Sequence, residues 1–220
     1  MKTVIIFLLG LTGSFASPAL AEPLFQDRAA GLPRSHVYDG DWEHFVGGGV
    51  AILDCNGDDF PDFFAAGGAN PAHLFVNTTG VPGGDLSFAD GALPSELLHV
   101  TGAYPLDIDG DGNLDLAVLR AGPNLLLKGD GACGFRDAGA DWGFDAGDRW
   151  STAFTATWEK GRDWPTLAVG NYVDRTNPNG PFEACDVNEL HRGGNGRFEP
   201  PELFSPGVCA PSMLISDWKR

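Results

Sequence analysis

The sequence predicts an all-β chain laid out as part of a β-propeller, and three observations predict it. Gly and Pro number 31 and 16 of 220 residues, well above the roughly 12% of an average chain. Short runs rich in Val, Leu, Phe and Ala alternate with Gly, Asp, Asn and Pro turns, and no long 3.6-residue apolar period interrupts them. The same pattern then returns along the chain. Each repeat offers about four short strands in roughly 50 to 60 residues, which is the layout of a propeller blade.

The first 21 residues read as an address. Lys2 supplies a positive start, VIIFLLGL the apolar centre and Ala19-Leu20-Ala21 a small-x-small cleavage signal. The mature chain is expected to begin near Glu22. The apolar run is too short to span a bilayer well, and no Cys near the cleavage point offers a lipid anchor. An exported product, secreted or periplasmic and without a membrane span, is expected.

The repeat is plainest in two acidic stretches. VAILDCNGDDFPDFFAAG from Val50 aligns with YPLDIDGDGNLDLAVL from Tyr104, placing Asp54, Asn56, Asp58 and Asp62 over Asp107, Asp109, Asp111 and Asp115. TATWEKGRDWPTLAVG from Thr155 is a third copy. Its corresponding positions hold Trp158, Lys160, Arg162 and Thr166, so the acidic set is gone. A hairpin follows each stretch: HLFVNTTG with LSFAD, NLLLKGDGACGFRD, and NELHRGGNGRFE, with Phe88, Phe135 and Phe198 near the start of the returning strand. The units run roughly 45–98, 99–148 and 149–210. A truncated fourth starts at 211, where Asp217 in MLISDWKR stands at the first loop position. Three blades and a fourth opening strand cannot close a ring. The expectation is therefore the N-terminal part, from residue 22 onward, of a longer propeller, or a truncated reading frame.

Four aspartates within nine residues repel one another unless a cation joins them. The spacing D-x-D-x-D-G-x-x-D puts oxygens at positions 1, 3, 5 and 9, a backbone carbonyl at 7 and a turn at 6. Such a loop suits a hard cation taking six to eight oxygens at about 2.4 Å, and calcium fits best. Two calcium sites are expected. One uses Asp54, Asn56, Asp58, Phe60 and Asp62, the other Asp107, Asp109, Asp111, Asn113 and Asp115, with Phe60 and Asn113 giving the carbonyl. An EF-hand would need Glu at position 12, where Ala65 and Val118 stand. With four carboxylates against three, the Asp107 loop is expected to bind more tightly.

The formal charge of −16 is opposite in sign to what phosphate contacts need, which excludes nucleic acid as a partner. Cys55, Cys133, Cys185 and Cys209 have no zinc-type spacing. In an exported chain they suggest two disulfides, for which the sequence permits three pairings. Asn77-Thr78-Thr79 is a glycosylation sequon.

At these loops the chain resembles the FG-GAP (VCBS) repeat proteins, which include the N-terminal propeller of integrin α chains. It is most similar to the ASPIC/UnbV-type group that contains cartilage acidic protein. DWEHFVGGGVAILDCNGDDFPD, TGAYPLDIDGDGNLDLAVLR, WEKGRDWPTLAVGNYVD and CAPSMLISDW carry the resemblance across nearly all of the mature chain. It implies seven blades in the full-length protein, calcium in the two intact loops, and disulfides Cys55–Cys133 and Cys185–Cys209.

The expected function is a non-catalytic, calcium-stabilised extracellular module for adhesion, with a protein or carbohydrate ligand. The alternative is part of a calcium-dependent hydrolase or lyase acting on polysaccharide. Its candidate groups are Glu43 and His44, with His36, His73, His99 and His191 elsewhere, but their spacing forms no nucleophile, base and orienter set. The six tryptophans stand near strand starts and turns, where blade packing wants them.

Overall fold

The structure, a computed structural model, describes residues 25–45, 47–178, 180 and 184–204. The expected signal segment, Cys209, Asp217 and Trp218 lie outside the described residues. The described residues are all-β, with only two single 3-10 turns, Ala29–Gly31 and Trp42–His44. None of their helices is long and apolar enough to cross a membrane.

The strands come in three successive sets. The first is β1 (Val50–Leu53), β2 (Asp62–Ala65), β3 (His73–Asn77) and β4 (Phe88–Asp90), paired antiparallel in chain order. The second is β5 (Val100–Leu106), β6 (Asp115–Gly122), β7 (Leu125–Gly129) and β8 (Phe135–Asp137), and it repeats that order. The third is β9 (Arg149–Thr157), β10 (Thr166–Asn171) and β11 (Asn188–Gly194). Its outer edge is divided between β12 (Arg197–Phe198) and β13 (Glu202–Phe204), both paired with β11. A short antiparallel contact of Ala121 with Trp150 and Gly122 with Arg149 joins the second and third sets. The curled sheets form a half-barrel, the shape of a partial β-propeller.

Burial explains the sequence pattern of each set. On β6, Leu116 and Val118 face a core shared with Phe64 and Leu74 of the first set, while Ala117 faces one shared with Leu167 and Trp164 of the third. The middle sheet is covered on both faces, so its strands read as continuous apolar runs rather than alternating ones. On β1 the pattern does alternate, with Ala51 and Leu53 buried and Val50 and Ile52 exposed. Trp142, Trp150 and Trp164 are buried, as expected for blade packing, whereas Trp42 and Trp158 are about half exposed.

The segment before β1 straps the sets together. Arg34 grips Asp90 through Nε and Nη2 at 2.6 and 2.7 Å, and Asp39 bonds along Gly67–Ala69. Further on, Trp42 and Phe45 pack edge-on against Trp150 of the third set, and Glu43 pairs with Arg175 at 2.8 Å. Cys55 and Cys133 are joined, tying the loop after β1 to the turn before β8. Cys185 is also disulfide-bonded.

Candidate functional site

The candidate site is a loop between the first two strands of each set. The three loops span 54–61, 107–114 and 158–165, equal in length, and each closes on the same strand pair: Leu53 with Asp62, Leu106 with Asp115, Thr157 with Thr166.

Loops 1 and 2 share the hydrogen bonds to positions 1 and 5, while Asn56 of loop 1 also bonds Asp58, donating from Nδ2 at 2.9 Å and accepting its amide at 3.2 Å. Asp54 Oδ1 accepts from the amides of Gly57 (2.8 Å) and Asp58 (3.2 Å), and its Oδ2 from Asp59 (3.0 Å). Asp107 accepts from Gly110, Asp111 and Gly112 at 2.8, 3.2 and 3.0 Å. Asp58 Oδ1 takes the Phe60 amide at 2.8 Å, and Asp111 Oδ1 takes that of Asn113 at 2.9 Å. Wrapping the amides around position 1 needs left-handed backbone at positions 4 and 6. Gly57 and Asp59 have φ of 72° and 67°, and Gly110 and Gly112 have 75° and 89°. Asp59 tolerates that conformation at modest cost. Position 4 is Gly161 in loop 3, with φ 85°, so the turn outlasts the acidic set.

Position 9 acts differently from the other three. Asp62 and Asp115 are wholly buried. Asp62 accepts the Cys55 amide at 2.9 Å and the Asn77 amide at 2.7 Å. Asp115 accepts those of Ile108 and Gly129 at 2.8 and 3.0 Å. Each thus staples the start of its loop to the end of the third strand. Burial pushes the Asp115 carboxyl up to about 6 against the pull of these amides. Burial raises Asp62 as well. Asp54 is moved the other way: desolvation opposes the shift, but the backbone amides outweigh it and hold the carboxyl below its ordinary value.

Asp62 Oδ2 also lies 2.9 Å from Cys55 Sγ. A disulfide carries no S–H, so this is a packing contact, and thiolate ligation by Cys55 and Cys133 is closed off.

The structure brings the position 1, 3 and 5 groups of loop 2 together, with ligand atoms of Asp107, Asp109 and Asp111 within 4.8 Å of one another. Asp109 Oδ1 is buried and lacks a hydrogen-bond partner, an acceptor that a hard cation would satisfy. These all-oxygen donors fit calcium, with Asp62 and Asp115 bracing the loops from behind.

Sequence reasoning missed Lys128. Its ammonium pairs with Asp109 and, at 2.7 Å, with Asp111. The Lys128 hydrogen bond, with help from the Asn113 amide, holds Asp111 below the ordinary carboxylate range. Lys128 sits one step beyond the Leu116–Leu127 pair, and Val76 is in that place beyond the Phe63–Phe75 pair. In the third set Arg192, paired with Thr166, fills it. Loop 3 has inverted its charges. Glu159 accepts from Thr166 Oγ1 at 2.6 Å and Arg192 Nε at 3.2 Å, and Arg162 bonds Glu199 and the Gly193 carbonyl. The clue was in the hairpin alignment, where Lys128 of NLLLKG stands over Arg192 of NELHRG.

The candidate catalytic groups fall into separate pairs. Glu43 turns to Arg175, while buried His44 stacks on His99, 5.5 Å between ring centres. His191 is wholly buried against Phe144, with Nε2 3.9 Å from Glu189 Oε2. His73 and His36 form a separate pair, Nδ1 to Nδ1 at 3.0 Å.

Repeated four-strand units with a loop between their first two strands define a propeller-type repeat protein. The family model described as FG-GAP-like repeat matches residues 54–118, from the first aspartate of loop 1 into β6, and supports an FG-GAP repeat protein. No curated protein matches the chain.

Proposed function

We propose that this chain is an exported, calcium-binding and non-catalytic β-propeller module for adhesion or ligand binding, in which the calcium loops are structural. The propeller repeat favours an interaction module, because its loops build a broad face on a rigid scaffold. The matched amide cradles of loops 1 and 2 carry the calcium reading. Position 1 is held by three backbone amides in both loops, which fixes the first ligand group within the turn. The ion's task is local: it neutralises Asp54 and Asp58, or Asp107, Asp109 and Asp111, and so holds β1 to β2 and β5 to β6. The divergence of Glu43 and His44 favours a non-catalytic role. An extracellular protein or carbohydrate is the partner class, and within the FG-GAP proteins the ASPIC/UnbV-type group remains the proposed subgroup.

The test is calcium titration by calorimetry with thermal melts of the mature chain, calcium-loaded and chelated. We expect calcium uptake and a Tm that falls on chelation, with Asp54→Ala and Asp107→Ala each removing the uptake of its own loop. No uptake and an unmoved Tm would overturn the reading.

A further inference from the structure

We propose that Lys128 is a built-in counter-ion of loop 2, so that a divalent cation enters that loop only by displacing it and loop 1 fills first. This rests on the calcium reading above and deepens it.

The Lys128 ammonium reaches from β7 to Asp109 and Asp111, with its side chain only 23% exposed. It touches position 3 and position 5, two of the groups a metal ion would share. Two cations cannot occupy that space without strong repulsion. Loop 1 has no such competitor on its third strand, because Val76 stands there. While the lysine stays in place, the charge advantage of loop 2 is cancelled. Asp54, Asp58 and Asp62 give three negative charges, while Asp107, Asp109, Asp111 and Asp115 with Lys128 give a net three. What separates the loops is then the cost of moving the lysine.

The loop leaves the lysine somewhere to go. A cavity of about 350 Å³ beside it is bounded by Lys128, Asp111, Asn113, Asp130 and Arg136. Asp130 already accepts the amides of Ala132 and Gly134 and retains lone pairs for a displaced ammonium. The third set shows the end of the same series. Arg192, at the equivalent place, bonds Glu159 in a loop without the acidic set. Valine, lysine and arginine at one strand position thus accompany a loop without a strand-borne cation, a loop with a competing cation, and a loop closed by its own ion pairs.

The test is calcium calorimetry on the mature, disulfide-bonded chain. Asp54→Asn silences loop 1, so loop 2 is read alone with and without Lys128→Met, and Lys128→Gln serves as a second, polar variant. We expect either lysine change to raise the calcium affinity of loop 2 roughly tenfold or more. In chelator the same changes should lower Tm, because the four aspartates lose their counter-ion, and calcium should restore it. Equal calcium affinity with and without Lys128, in chains that do bind calcium, overturns this proposal and leaves the calcium reading standing. Absence of calcium uptake by the wild type and every variant overturns both.

Discussion

The Asp115 carboxylate accepts the amide of Ile108 at 2.8 Å, closing the loop that Asp107 opens. Its other oxygen takes the Gly129 amide, and Asp62 does the same work for Cys55 and Asn77. Position 9 is therefore a staple within the protein, whatever else it binds.

That arrangement sets an order of mutational costs in the absence of calcium. Asp115→Ala or Asp62→Ala leaves two buried amides without acceptors, and each should lower unfolding free energy by about 2–5 kcal/mol. Asparagine should not rescue fully, since it offers one carbonyl to two donors. Asp54→Asn lies at the accessible rim and should cost less than half as much. Urea unfolding in chelator measures each of them. Equal losses at Asp54 and Asp115 would contradict the division between rim and staple.

The sequon at Asn77 is a second case where burial decides. Asn77 is 5% exposed, its Nδ2 donates to the Pro61 carbonyl and its Oδ1 accepts the Thr79 amide. A glycan would join Nδ2, which is buried against the Pro61 carbonyl at the end of β3, so attachment requires the side chain to leave that place. Expression in a glycosylating host should leave Asn77 unmodified in folded protein, as intact-mass spectrometry would read. A glycan there would mean that modification precedes folding of the first set.

Much of this was legible in the sequence. The 3.6-residue silence, the turn composition and the repeat gave the strands, and aligned aspartates gave both loops with their lengths. The third-set loop without its acidic residues was also visible. Lys128 was harder, because its partners Asp109 and Asp111 lie 19 and 17 residues away and only strand register brings them together. Counting carboxylates inside the loop ignored a charge arriving from outside it. The staple role of Asp62 and Asp115 was hidden for a related reason. Their amide partners on the third strand belong to the hairpin, and the D-x-D pattern presents all its aspartates as equivalent. The Asn77 sequon could be read as exposed because nothing in N-T-T says that the asparagine ends a buried strand.

The strap before β1 predicts a pH dependence. Arg34 Nη1 lies 3.3 Å from His73 Nε2, His73 Nδ1 lies 3.0 Å from His36 Nδ1, and His36 Nε2 lies 2.8 Å from the Ala66 carbonyl. Donors and acceptors alternate along this chain only if both rings are neutral. Arg34 then donates to His73, His73 to His36 and His36 to Ala66. Burial lowers the His73 pKa, the Arg34 charge and a proton on His36 lower it further, and Asp90 opposes them. The folded state therefore binds a proton at His73 less readily than the unfolded chain, whose value is near 6.5. Stability should be complete above that value and should fall as pH drops through it toward the lower folded pKa. Urea unfolding at pH 7.5 and 5.0 should show a larger loss in the wild type than in His73→Gln, which cannot take up the proton. Hydrogen exchange should place the loosening at Arg34–Asp39. An identical pH loss in the two proteins would show that the acid sensitivity belongs to other groups and that the histidine chain leaves the strap unaffected.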